Sequence, residues 1–386
     1  MTLLEPMGLS LRDRTVEAGV RSGLAAVEAG LLEATKSDVP FITEAAQHLV
    51  RAGAKRLRPL LVLLAARFGD PDAPGVVPSA VVVELTHLAT LNHDDVLDDA
   101  DARRRTPATD ANWDNSVAVL TGDFLFARAS HLLADLGPEA VRIQADAFRQ
   151  QVTGQILETA GPRADRDPIE HYLEVLAGRA GSLIAVSGRL GALASGAGRD
   201  VAGVLARYGE RLGVACRLAE DVLDIAEAGG AGGVPRGHPG ATLREGFATL
   251  PVLYLRARAE ATGSPEDREL CELLTTELTN KTDETRYAEA LRRFRAHPAL
   301  EQARVAADRY AEEARAALAP LPACAARRAL EDLCEVVTRD RPAVPPTSPS
   351  PSSPASPSSP ASAPAASPAV SPLVAAEQRL PEAAQP

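Results

Sequence analysis

Four carboxylates close an apolar run in Glu84-Leu-Thr-His-Leu-Ala-Thr-Leu-Asn-His-Asp-Asp-Val-Leu-Asp-Asp99. On a helix turning about 100° per residue, Asp94 and Asp98 share a face, with Asp95 three residues before Asp98. His87 lies two turns earlier on that face. Like charges stacked this way destabilise a helix by about a few tenths of a kcal/mol per pair unless a cation lies between them. Mg²⁺ fits, because it takes oxygen ligands, binds through one or two carboxylates and completes its octahedron with water and phosphate oxygens. The plainer reading is a solvated acidic helix end.

Basic clusters flank this stretch. Lys55-Arg-Leu-Arg-Pro59 precedes the wholly apolar Leu60 to Ala66. Pro59 is suited to open a helix there, placing Arg58 at its positive end, where a diphosphate would be favoured. Surface charge is the plainer reading of these cations, and of Arg56 above all. Asp101-Ala-Arg-Arg-Arg-Thr-Pro107 follows Asp98 by a few residues. Arginine forks engage phosphate oxygens in pairs, so acid next to base suits a metal diphosphate. Asp221-Val-Leu-Asp224 repeats Asp95-Val-Leu-Asp98, which suggests two facing acidic helices, and the Gly- and Pro-rich 229–240 stretch after it is a candidate lid. Asp123 is expected as a buried structural carboxylate, and Arg179 as a lone cation in an apolar run.

The elements that position these groups read as helices. Aromatics make up only 3% of the 386 residues while Ala, Leu, Arg and Glu dominate, which favours an all-α body. Val16, Val20, Leu24, Val27 and Leu31 mark a helix over 11–35. Further helical patterns cover 45–68, 113–129, 139–160, 168–197, 201–226, 243–258 and, with breaks, 266–338. The net charge of -11 leaves no basic nucleic-acid footprint. Cys216, Cys271, Cys324 and Cys334 have neither disulfide nor zinc spacing. No uninterrupted apolar run reaches the roughly 18 residues of a membrane span, and residues 1–10 lack signal-peptide character, so a cytoplasmic chain is expected. Residues 1–340 form the helical domain. Residues 341–386, rich in Pro, Ser and Ala, read as a disordered tail, either solubilising or tethering a short motif.

Together these blocks resemble the trans-isoprenyl diphosphate synthases, the polyprenyl synthetase family. The resemblance rests on Gly53-Ala-Lys-Arg-Leu-Arg-Pro59, His93-Asp-Asp-Val-Leu-Asp98, Asp101-Ala-Arg-Arg104 and Ser116-Val-Ala-Val-Leu-Thr-Gly-Asp-Phe-Leu125. Tyr172-Leu-Glu-Val175, Glu220-Asp-Val-Leu-Asp224 and Leu243-Arg-Glu-Gly246 complete it. It implies long helices bundled around a central apolar cavity, usually in a homodimer. The implied reaction ionises an allylic diphosphate, lets the double bond of isopentenyl diphosphate attack the carbocation, and removes a proton.

The resemblance also implies roles. Asp94, Asp95 and Asp98 would bind Mg²⁺ on the allylic diphosphate, with Glu220, Asp221 and Asp224 contributing metal ligands from across the cavity. Arg103 would touch the allylic diphosphate, and Lys55, Arg58, His87 and Arg104 would hold isopentenyl diphosphate. Asp94, Asp95, Asp98, Arg103 and Arg179 form the expected catalytic set. The small Ala89, five residues before the acidic motif, favours a medium- or long-chain product.

The second half departs from the family pattern. Arg179-Ala180 replaces a usual Lys-Thr, Cys216-Arg217 a usual Phe-Gln, Glu220 a usual Asp, Gly237 a loop Lys and Thr242 an Asp. Arg217 and Arg236 are placed to restore positive charge, Arg217 as a substrate-binding residue. Two alternatives follow: a catalytically weak prenyl diphosphate-binding subunit of a heteromeric synthase, or an enzyme like a class I terpene synthase. The intact Lys55, Arg58 and His87 argue against the latter. For the tail, the family offers recruitment to a protein shell or scaffold.

Overall fold

The computed structural model describes residues 11–52, 56–97, 115–226, 243, 248–280 and 284–339. Lys55, Asp98, Arg103, Arg104, the 229–240 loop and the 341–386 tail lie outside these residues, as does the side chain of Asp95.

Among the described residues every regular element is a helix. α1 (Arg14–Ala34) starts where the Asp13 carboxylate accepts from the amides of Thr15 and Val16, both at 3.0 Å. It buries the expected stripe from Val16 to Leu31. α2 (Pro40–Ala52) and α3 (Leu57–Ala66) replace the single punctuated run. Pro59 does not open α3, which begins two residues earlier; a first-turn proline is tolerated there because its missing amide would have no helical partner.

α4 (Val76–Leu97) carries the first acidic motif. It is apolar almost all round, and Val81, Val82, Val83, Leu85, Leu88 and Ala89 are buried, as a central helix requires. α5 (Asn115–Leu136) packs along it and runs well past the expected end. Among the described residues α5 is the helix whose length and hydropathy match a membrane span. Asp123 interrupts it, and Arg128 Nε donates to Ala34 O at 2.6 Å. α6 (Pro138–Ala160) crosses back.

The expected 168–197 helix is broken. α7 (Pro168–Leu176) passes into a π-helical turn, Ala177–Gly181, before α8 (Ser182–Ala194). α9 (Arg199–Ala226) packs on α8 at close range. A Cβ on Gly209 would stand 2.5 Å from Ile184 O, and one on Gly213 2.7 Å from Ala180 O, so the contact needs residues without side chains. The remaining helices are α10 (Leu250–Thr262), α11 (Pro265–Asn280), α12 (Glu284–Arg295), α13 (Pro298–Ala317) and α14 (Ala325–Arg339).

Two apolar cores result. One joins α1, α3, α4, α5 and α8 with the first half of α9; the other joins the second half of α9 with α10 to α13. α9 therefore runs from one core into the other and delivers the second acidic motif beyond the first core.

Candidate active site

Arg56, expected as surface charge, is a buried anchor: it is 5% exposed and the described non-glycine residue with positive φ, at 51°. Its Nε donates to Glu28 Oε1 at 2.6 Å, Nη1 to Glu84 Oε1 at 2.8 Å and Nη2 to Val50 O at 2.6 Å. Burial opposes the charge, but Glu28 and Glu84 more than offset it and raise the guanidinium pKa. This lock anchors the start of α3, whose second residue is Arg58.

Arg58 is half-buried, and its Nε is enclosed without a hydrogen-bond partner among the described residues. Burial lowers its pKa, with Glu84, Glu220 and Cys216 acting in opposition. A partly desolvated cation with an unused donor is a place where an anion gains.

On α4, Asp94 Oδ2 lies 3.2 Å from Nη2 of Arg179. The other arm of Arg179 makes a close ion pair with Glu158 of α6. Arg179 sits in the middle of the π-helical turn, an irregularity often found where a helix must aim a side chain. His87 is half-buried. His93 instead turns to α5, with Nε2 3.0 Å from Val119 O and 3.5 Å from Asp123 Oδ1. Asp123 itself is exposed, at 61% of its side chain, which corrects the expected buried carboxylate; its helix presents it to solvent.

On α9, Asp221 is the buried member of the second motif. Tyr172 of α7 donates its hydroxyl hydrogen to Asp221 Oδ2, and Arg217 Nε stands 3.5 Å from Oδ1. Burial pushes the Asp221 carboxyl up to about 6, although Arg217 and Tyr172 pull the other way. Arg217 is raised by Asp221 first, and Tyr172 by burial and then Asp221. Glu220, half exposed, is 3.6 Å from Arg217 Nη1, and Asp224 is half-buried one turn further on.

The structure thus brings Asp94 and Arg179 into contact, places Arg217 on Glu220 and Asp221, and leaves Arg58 in the field of Glu84 and Glu220. Among the described residues no three metal-capable side chains converge. The donor set nevertheless suits a hard dication: it is all oxygen, and Asp221 Oδ1 is buried with no hydrogen-bond partner among the described residues, only the 3.5 Å ion pair to Arg217. Glu158 and Tyr172 are candidate functional residues beyond those expected from the sequence motifs. The spacing of Gln151, Gln155 and Glu158 at one and two turns was a usable signal, because it draws a polar stripe on α6. Gln151 Nε2 reaches Thr90 Oγ1 of α4 at 3.1 Å along that stripe.

Comparison with known proteins agrees with this arrangement. The family model for polyprenyl synthetase matches residues 39–292. Nonaprenyl diphosphate synthase of Mycobacterium tuberculosis is 42% identical over 330 residues, covering 85% of this chain and 95% of that protein. Dimethylallyltranstransferase of the same organism is 38% identical over 328 residues, covering 85% and 97%. The crystal structure of geranylgeranyl pyrophosphate synthase from Corynebacterium glutamicum, complexed with calcium and isoprenyl diphosphate, has a TM-score of 0.74. It is 37% identical, covering 86% of this chain and 99% of that one. Matched by the family model over residues 39–292 and by relatives over most of its length, the chain belongs to the polyprenyl synthetase family.

Proposed function

We infer that the chain condenses isopentenyl diphosphate head-to-tail with an allylic diphosphate, in a Mg²⁺-dependent reaction, to give a medium- or long-chain polyprenyl diphosphate. The observation that carries this reading is the connection between the motifs. Asp94 on α4 leads through Arg179 and Glu158 toward Tyr172 and Asp221 on α9, while Arg58, whose Nε has no partner among the described residues, feels the charge of Glu220 next to Asp221.

In this reading Asp94, Asp95 and Asp98 on one side, and Glu220, Asp221 and Asp224 on the other, hold the metal. Bound there, Mg²⁺ supplies Lewis-acid stabilisation of charge gathering on the departing diphosphate. Lys55, Arg58, His87 and Arg104 hold isopentenyl diphosphate, and Arg103 and Arg217 add positive charge on the allylic side. Arg179 steadies Asp94 before substrate arrives. Such preorganised charge needs no reorganisation as the carbon–oxygen bond breaks. Ala89, fully buried on α4, adds little bulk where an aromatic would block a growing chain. Exposed Leu120 on α5 and Ile156 on α6 suit a homodimer face.

The test incubates purified protein with Mg²⁺, labelled isopentenyl diphosphate and, in turn, geranyl, farnesyl and geranylgeranyl diphosphate. Products longer than the primer by several isoprene units are expected, and their loss in Asp94→Ala. No extension of any primer would overturn the reading.

A further inference from the structure

The second acidic cluster carries its own cation. Arg217 lies one turn before Asp221 on α9, with Nε 3.5 Å from Asp221 Oδ1 and Nη1 3.6 Å from Glu220 Oε2. The pairing is held from the far side as well, because the Asp221 side chain is 1% exposed and its other oxygen accepts from Tyr172. The Arg217 side chain is 40% exposed, against 1% for Asp221, so it remains within reach of a ligand arriving from solvent. The residue that the family pattern places here is a neutral Gln. At this position the chain therefore sets a positive charge directly against Glu220 and Asp221.

We propose that Arg217 is a resident countercharge of the second acidic cluster, holding Asp221 and Glu220 in the substrate-free chain and weakening their grip on a divalent cation until a diphosphate arrives. The idea rests on the reading that the acidic clusters bind dications. Two physical facts give it force. A unit positive charge about 5 Å from a dication lowers affinity roughly tenfold even with water-like screening, and more when partly buried. A guanidinium also pairs with phosphate oxygens as readily as with carboxylates, so an incoming diphosphate can take it over. Arg217 is then a positioning residue for the metal ligands in the free chain and a phosphate contact in the loaded one.

The test counts free Mn²⁺ by electron paramagnetic resonance during titration of the full, substrate-free chain. Asp94→Ala weakens the first cluster so that the second dominates, and Arg217→Gln, Arg217→Met and Arg217→Lys are each added to it. Both neutral variants are expected to bind Mn²⁺ about tenfold more tightly than Asp94→Ala alone, while Arg217→Lys stays near it. Using two neutral replacements guards against one that fails to fold, and far-ultraviolet circular dichroism verifies the helices. Coincident isotherms with and without Arg217, or no Mn²⁺ binding in either neutral variant, would overturn the proposal. Tighter binding in wild type than in Asp94→Ala would still uphold the metal reading of the first cluster, so the two failures are distinguishable.

Discussion

Replacing Arg56 with Met keeps most of the side-chain stem and removes the charge that three partners share. Glu28 is about one-third exposed and can be rehydrated, but the Glu84 side chain is only 4% exposed. Its Oε2 has no hydrogen-bond partner among the described residues, so loss of the 2.8 Å contact to Oε1 leaves a buried carboxylate with no hydrogen-bonded cation and only the longer-range charge of Arg58. Breaking a buried pair from one side costs about 3–5 kcal/mol, and Glu84 is expected to account for most of it. With a urea m-value of about 3 kcal/mol/M, the unfolding midpoint should fall by about 1 M or slightly more. Arg56→Met/Glu84→Met, which removes both charges, should recover more than half of that loss. In the single variant the αL turn also loosens, so KM for isopentenyl diphosphate should rise more than kcat falls, because Lys55 and Arg58 flank residue 56. A single-variant loss below about 1 kcal/mol, or a double variant showing the simple sum of the single losses, would refute the reasoning.

Two further outcomes follow from the helix contacts and the buried carboxylate. Gly209→Leu drives a side chain into the Ile184 carbonyl, where even a Cβ would stand at 2.5 Å, and should destabilise by about 3 kcal/mol or more, read as a lower thermal midpoint. Gly203→Leu, on the same helix with open surroundings, should change it little. Asp221 has a folded-state pKa raised from 3.8 to about 6, so between those values the native chain binds more protons than the unfolded one. In EDTA, stability should therefore fall by about 2 kcal/mol as pH rises through that window, and Asp221→Asn should flatten the decline; an unchanged slope in the variant would refute it.

Much of the architecture was legible in local pattern. The stripe from Val16 to Leu31 fixes α1 because burial at three- and four-residue intervals is a property of one helix. The echo of Asp95–Asp98 in Asp221–Asp224 was readable for the same reason, since its spacing is short. What escaped was decided by distant partners. Nothing near Arg56 announces that Glu28 and Glu84, each 28 residues away, will enclose it. Asp123 sits among apolar neighbours in sequence, yet its direction on α5 faces solvent. Arg217 was recognised as compensating charge, but its attachment to Asp221 depends on how deeply α9 is buried.

The π-helical turn at Ala177–Gly181 makes phase, and not only residue identity, a requirement of the site. One residue beyond a regular turn offsets α7 from α8 by about 100°; Tyr172 reaches Asp221 from before that offset and Arg179 reaches Asp94 from within it. Deleting Gly178 would restore an unbroken α-helix and leave every side chain chemically intact. It would also rotate Tyr172 away from its carboxylate while Arg179 lost its aim. A single-residue gap, harmless in a loop, would here uncouple the two acidic helices.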